Sequence, residues 1–153
     1  MSHFIQIIAA AALTLPVLAL PVPGSVAQAS ATAEAATLTI SLTDIEAPQG
    51  RIMLALYEGA AGYDGGKPVR GAAIEVSGTS TSTVITGLAP GLYGVKLFHD
   101  VNGNGKMDTN PFGMPVEPFA FSNSAKGNMG PAAWDDAKFE VKIGTNNQTI
   151  SFK

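Results

Sequence analysis

The run Thr37-Leu38-Thr39-Ile40-Ser41-Leu42-Thr43 alternates apolar and hydroxyl side chains without a fault. Successive side chains of a strand point to opposite faces, so Leu38, Ile40 and Leu42 face a core and the hydroxyls face water. A helix cannot use this pattern, because a period of two spreads its apolar residues around the whole cylinder. The same period recurs along the chain. Ile52, Leu54 and Leu56 share a face of 51–57, and Ala72, Ile74 and Val76 share another. The Ser/Thr-rich run 80–86 reads as a strand near an edge, and Tyr93, Val95 and Leu97 mark a strong strand over 91–100. Lys138 to Ile143 alternates cleanly, and Gln148 to Phe152 ends the chain with Ile150 and Phe152 inward.

Turn residues separate these runs: Pro48 and Gly50, four glycines between Tyr57 and Arg70, and a predicted turn over Gly144 to Asn147. Seven short strands with no convincing amphipathic helix predict an all-β domain. The expected form is a seven-stranded antiparallel Greek-key β-sandwich of immunoglobulin-like or prealbumin-like kind. A long crossover, residues 109–136, joins its fifth and sixth strands. The expected core is Leu38, Ile40, Leu42, Ile52, Leu54, Leu56, Ile74, Val95, Leu97, Phe139, Val141 and Ile150.

Residues 1–33 carry no Asp, Glu, Lys or Arg, and Ile5 to Leu20 is an apolar run broken only by Gln6, Thr14 and Pro16. Pro21, Pro23 and Gly24 follow, then Ala27-Gln28-Ala29. That is the apolar core, helix break and A-x-A pattern of a secretory signal peptide, although no Lys or Arg precedes the core. The core is short for a span of ~20 residues and contains a proline. The expected division is a signal peptide over 1–29, a flexible tether over 30–36 and the sandwich over 37–153. The mature protein is then periplasmic or secreted, without a membrane span, and is expected to be a monomer.

Composition narrows the functions. The 12 Asp and Glu against 9 Lys and Arg give a net charge of −3, with no basic stripe, which argues against a nucleic-acid partner. The absence of cysteine excludes a disulfide scaffold, a thiolate metal site and a cysteine nucleophile. After cleavage the one histidine is His99, so a two-histidine zinc site within one chain is excluded. No G-x-S-x-G elbow or phosphate-binding glycine loop is present.

The strongest chemical motif is Asp100-Val101-Asn102-Gly103-Asn104-Gly105-Lys106-Met107-Asp108. Side-chain oxygens fall at loop positions 1, 3, 5 and 9, with Gly at 6, as in the first part of an EF-hand-type calcium loop. Asp100, Asn102, Asn104 and Asp108 would offer side-chain oxygens and Lys106 its carbonyl. Position 12 is Pro111 where a carboxylate belongs, and Glu117 is the acid that could close the site. Two charged ligands imply weak calcium binding, ~10⁻⁴–10⁻³ M. Asn-Gly is also a hairpin-turn dipeptide, so a metal-free, self-capped loop explains the same residues.

The crossover holds Phe112, Phe119, Phe121 and Trp134, and Trp134-Asp135-Asp136 carries a weak signal for a helical turn. An irregular segment of this length lines a site or covers the end of a core. With His99 and Glu117, these aromatics form a candidate pocket. By phase His99 continues the Tyr93, Val95, Leu97 face. It is expected either as a core-edge histidine bonded to the crossover or as a pH-sensitive clasp.

Two resemblances follow. Leu88-Ala89-Pro90-Gly91-Leu92-Tyr93 resembles the L-x-P-G-x-Y turn of transthyretin-like and carboxypeptidase-regulatory-like domains, with Gly91 expected at positive φ and Tyr93 bonding back across the corner. Leu97 to Asn110 resembles the signature of small exported bacterial proteins called domain of unknown function 2141. Phe112-Gly113-Met114-Pro115 with Glu117, Phe121 to Ala125, and Gly130-Pro131 are similar to its later segments. The resemblance spans about residues 37–152. It implies export and a β-sandwich, and it brings no activity, substrate or catalytic residues. The resulting expectation is an exported, non-catalytic binding or interaction module for a protein, glycan or envelope component. The alternatives are a carrier of a small apolar ligand beneath the crossover, or a hydrolase using Asp100, Asp108 or Glu117.

Overall fold

A computed structural model describes residues 35–153. The expected signal peptide and most of the tether lie outside them. Two sheets enclose one core. The first has the order β4 (Thr81–Leu88), β1 (Ala36–Thr43), β8 (Gly144–Ser151). The second has the order β3 (Arg70–Glu75), β2 (Arg51–Glu58), β5 (Gly91–Asp100), β6 (Phe119–Phe121), with β7 (Phe139–Val141) also on β5. Leu38, Ile40 and Leu42 of β1 are fully buried against Ile52 and Leu56 of β2 and Val95 of β5, as the alternation requires. Each such aliphatic side chain contributes ~1.5–3 kcal/mol on leaving water. Of the expected core, only Ile74 and Phe139 are half-buried, packed at its margin.

The expectation of seven antiparallel strands is corrected in two ways. The described residues form eight strands, and β8 pairs with β1 in parallel, Leu38 opposite Asn146 and Ile40 opposite Gln148. Alternation reports which face is buried and is blind to the direction of a partner. The first and last strands meet far apart in sequence, where no local turn sets their sense. The predicted turn over 144–147 is the start of β8. The turn falls earlier, at Lys142 and Ile143, which carry the chain from β7 in one sheet to β8 in the other, and Gly144, at φ 90°, opens β8.

Two short helices were also missed or faint in the sequence. The segment read as loop after Tyr57 contains α1 (Gly59–Asp64), whose six residues are too few to show a helical period and bury only Tyr63. The faint signal at Trp134 is α2 (Trp134–Ala137). Both lie over the outer face of β2 and β5, where Tyr57, Tyr63 and Trp134 form a second cluster. Tyr63 stands edge-on to Tyr57 and tilted against Trp134, both at 5.5 Å. Gly94 permits this packing, because a Cβ there would lie 2.8 Å from the Tyr63 ring and 3.0 Å from the Trp134 ring. Lys96 lays its ammonium 4.0 Å from the Tyr63 ring centre and donates to the Tyr63 carbonyl at 2.8 Å. Burial lowers the Lys96 pKa and pushes the Tyr63 phenol up to about 12.

The Leu88–Tyr93 corner forms as expected in one respect: Tyr93 Oη donates to the Ala89 carbonyl at 2.9 Å. Gly91 is not at positive φ. It is already the first residue of β5, and Gly87, at φ 73°, takes the left-handed position.

At the far end, Asp44 ties β1 to the end of the chain. Its carboxylate accepts from Thr43, from Ser151 at 2.7 Å and from Lys153 at 2.7 Å. These partners, Lys153 first, hold its pKa at about 2, below the ordinary carboxylate range. A depressed carboxylate pKa contributes stability that is complete above the unfolded value and is lost as pH falls through the folded one. Acid titration of unfolding should therefore show stability falling between pH 4 and 2, and Asp44→Asn should flatten that part of the curve.

Candidate functional site

The oxygen-rich loop begins where β5 ends. His99 and Asp100 are both about 1% exposed, although neighbours on a strand face opposite ways. His99 points into the sandwich, and Asp100 is covered by its own loop. The His99 ring does not bond the crossover: Nε2 donates to the Gln49 carbonyl, at 2.7 Å, in the β1–β2 connection. Its backbone N–H meets the crossover instead, donating to Pro118 at 2.8 Å. Gly50 lets the β1–β2 connection come this close. A Cβ there would stand 2.2 Å from the Asp100 carbonyl oxygen, and its φ is 75°.

Asp100 Oδ1 accepts the Asn104 N–H at 3.0 Å, and Oδ2 accepts the Gly105 N–H at 2.8 Å. Asn102 Oδ1 accepts the Asn104 N–H at 3.0 Å, and Asn104 Oδ1 accepts the Lys106 N–H at 2.8 Å. Each oxygen-bearing side chain thus folds the chain back over itself, from position 1 to 5 and 6, from 3 to 5 and from 5 to 7. The amides of Asn102 and Asn104 turn their Nδ2 toward Asp108. Asn102 donates at 2.6 Å, and Asn104 at 3.0 and 3.1 Å to the two carboxylate oxygens. Asn104 therefore links the two acids, meeting Asp100 through its backbone N–H and Asp108 through its side-chain amide.

Glu117 braces the loop from outside the motif by accepting backbone N–H groups. It is 8% exposed; Oε1 accepts the Val101 N–H at 3.0 Å, and Oε2 accepts the Asp108 N–H at 3.1 Å. Among the described residues, no group of three or more His, Asp or Glu side chains stands together as a metal site. Lys106 is exposed, and its backbone is held by Asn104.

The candidate pocket residues are not brought together. Phe119 and Phe121 stack edge-on at 5.8 Å and line a groove of about 190 Å³ with Phe152, Ser124 and Lys126. Trp134 is on the outer cluster with Tyr63, and Phe112 is 88% exposed at the tip of the crossover. His99 is buried and Glu117 serves the loop, so neither opens into the groove.

Sequence reasoning missed two organising residues. Asn110 caps the tip: its Oδ1 accepts from Phe112 at 2.9 Å and Met114 at 3.1 Å, while Thr109 bridges to Pro115. The signal was present in Asn110-Pro111-Phe112-Gly113, a turn sequence. Ser122 is fully buried, with Oγ accepting the Val95 N–H at 2.9 Å and donating to the Ala137 carbonyl at 2.5 Å. A lone serine in an aperiodic segment gives no such signal. Substituting Glu117 tests the loop's closure directly. Glu117→Ala should cost about 2 kcal/mol in urea unfolding, because it strands the Val101 and Asp108 donors, and Glu117→Gln, which keeps one acceptor, about half as much.

Comparison with curated proteins and with solved structures found no match. A family model described as "Uncharacterized protein conserved in bacteria (DUF2141)" matches residues 40–151, from the middle of β1 to the end of β8. The knuckle at Asp100–Asp108, the Asn110 turn and the Ser122 staple all fall inside that match, and the chain belongs to this bacterial family.

Proposed function

We propose that this protein is an exported, non-catalytic binding module that presents the tip of its crossover to a protein, glycan or envelope component. The observation that carries this reading is the exposure of apolar side chains on an ordered limb. Phe112, Met114 and Val116 are 88%, 58% and 61% exposed, yet the backbone between them is held by Asn110 and by the Val116 N–H on the Asp108 carbonyl at 2.9 Å. Apolar surface left in water on a fixed backbone is the usual mark of a contact surface. The apolar leader with its Ala27-Gln28-Ala29 site supports export to the periplasm or beyond. The Tyr93 corner supports kinship with transthyretin-like sandwiches.

A calcium ion fits the same reading as a stiffener of the limb. Asp100, Asn102, Asn104 and Asp108 would hold it with the Lys106 carbonyl. It would take the place at Asp108 that the neutral N–H donors of the Asn102 and Asn104 amides otherwise hold. The carrier reading is weaker, because a groove of about 190 Å³ is below the ~300–1,000 Å³ of small-molecule sites.

Two measurements test these points. A photocrosslinking residue in place of Phe112 should capture an envelope component in living cells, whereas one in place of Leu92, exposed on β5, should not; equal or absent capture overturns the binding surface. Millimolar calcium should raise the melting temperature of the purified chain relative to chelator, and Asp108→Ala should remove the rise. An unchanged melting temperature leaves the self-capped loop as the whole account.

A further inference from the structure

We infer that Asn102 is a site of spontaneous deamidation, selected by the fold over the neighbouring Asn-Gly pair. Both Asn102-Gly103 and Asn104-Gly105 carry the sequence that reacts most readily, because glycine puts no Cβ in the way of its own nitrogen. In the reaction the backbone nitrogen of the glycine loses its proton and attacks Cγ of the asparagine. A C–N bond forms, the Cγ–Nδ2 bond breaks, and ammonia leaves with the proton. Water then opens the cyclic imide to an aspartyl or isoaspartyl residue, with no oxidant or reductant involved.

The two pairs form a controlled comparison inside one loop. Both asparagines are exposed, and both following glycines have positive φ, 74° and 77°. Both Oδ1 atoms accept a backbone N–H, from Asn104 in one case and from Lys106 in the other, which stabilises the oxyanion formed on attack. Both Nδ2 atoms donate to Asp108. The difference is the nucleophile. The Gly105 N–H donates at 2.8 Å to the buried Asp100 carboxylate, a base too weak to remove an amide proton. That bond fixes the peptide plane and shields the nitrogen. Among the described residues, the Gly103 N–H has no hydrogen-bond partner, so its nitrogen is free to ionise and to turn toward Cγ.

The change has a consequence for the loop. Asn102 Nδ2 donates to Asp108 at 2.6 Å, and deamidation replaces this donor with a second carboxylate facing the first. Like charges then oppose closure unless a cation stands between them, and the oxygen count facing the centre rises. The modification converts a self-capped knuckle into one that depends on a divalent ion. This last step rests on the calcium reading above; the site selection does not.

The test is to incubate the full exported chain at mildly alkaline pH, then digest it and map masses by peptide. Asn102 should gain its one mass unit about tenfold faster than Asn104, the low end of what breaking a charge-assisted hydrogen bond costs. The rate should rise with pH. In urea, where Asp100 no longer holds Gly105, the two pairs should react at similar rates. Equal rates in the native protein, or a faster Asn104, overturn the inference. For the consequence, Asn102→Asp should melt lower than the parent in chelator and gain more from millimolar calcium; equal melting in chelator overturns that step. If the parent ignores calcium while Asn102 still reacts first, the cation reading falls and the modification site stands.

Discussion

The free edge of β5 governs the second half of this chain. β5 is the longest strand and is paired along one side by β2 from Arg51 to Glu58. Its other side presents N–H and C=O groups that must find partners once the sandwich closes over them. No single strand supplies them. β7 pairs residues 91–93, Ser122 Oγ takes the Val95 N–H, and β6 pairs residues 96–98. The Pro118 carbonyl then takes the His99 N–H. The crossover and β7 together act as a discontinuous strand, laid along β5 in one direction with a break between its pieces.

That arrangement explains why the crossover is long and where its residues go. β6 runs antiparallel to β5 from Phe98 to Lys96, and β7 continues in the same direction from Tyr93 to Gly91, so the chain between them leaves the edge at Ser122, passes over the outer face of the sheet and rejoins the edge at Phe139. Asn123, at φ 59°, makes the turn, and its Nδ2 is held by the carbonyls of Asp136 and Lys138. α2 then sets Trp134 against Tyr63 in the outer cluster. The first limb, 101–117, has no such duty to the sheet. It projects beyond β5 and is kept in shape by its own polar side chains.

What the sequence disclosed and what it withheld follow the same division. Alternation gives the face of each strand, because burial acts on every second side chain, and β1, β2 and β5 were legible from it. The parallel pairing of β8 was not, because direction is decided by contacts far apart in sequence. β6 has three residues and α2 four, too short for any period to register. The knuckle was legible because its residues cap one another within six positions, and Glu117 was suspected because an acid was missing from the loop. Ser122 was invisible: its role depends on a gap between two strands that exists only in the folded chain. The scattered aromatics misled in the opposite sense, since apolar side chains crowded in sequence need not converge in space.

The knuckle's polar economy bears on what the limb can do. Ordering a loop before it meets a partner removes part of the entropic cost of association, which is ~1–2 kcal/mol for each residue whose backbone must be fixed. Here Asp100, Asn102, Asn104, Asn110 and Glu117 hold the backbone of 100–117, and the apolar side chains of Phe112, Met114 and Val116 are left in water. A limb ordered by apolar packing would have to bury those same side chains. Because the ordering is polar and internal, it can be altered at Asp108, where two amide donors converge on one carboxylate, without disturbing the core that Leu38, Ile52 and Val95 maintain.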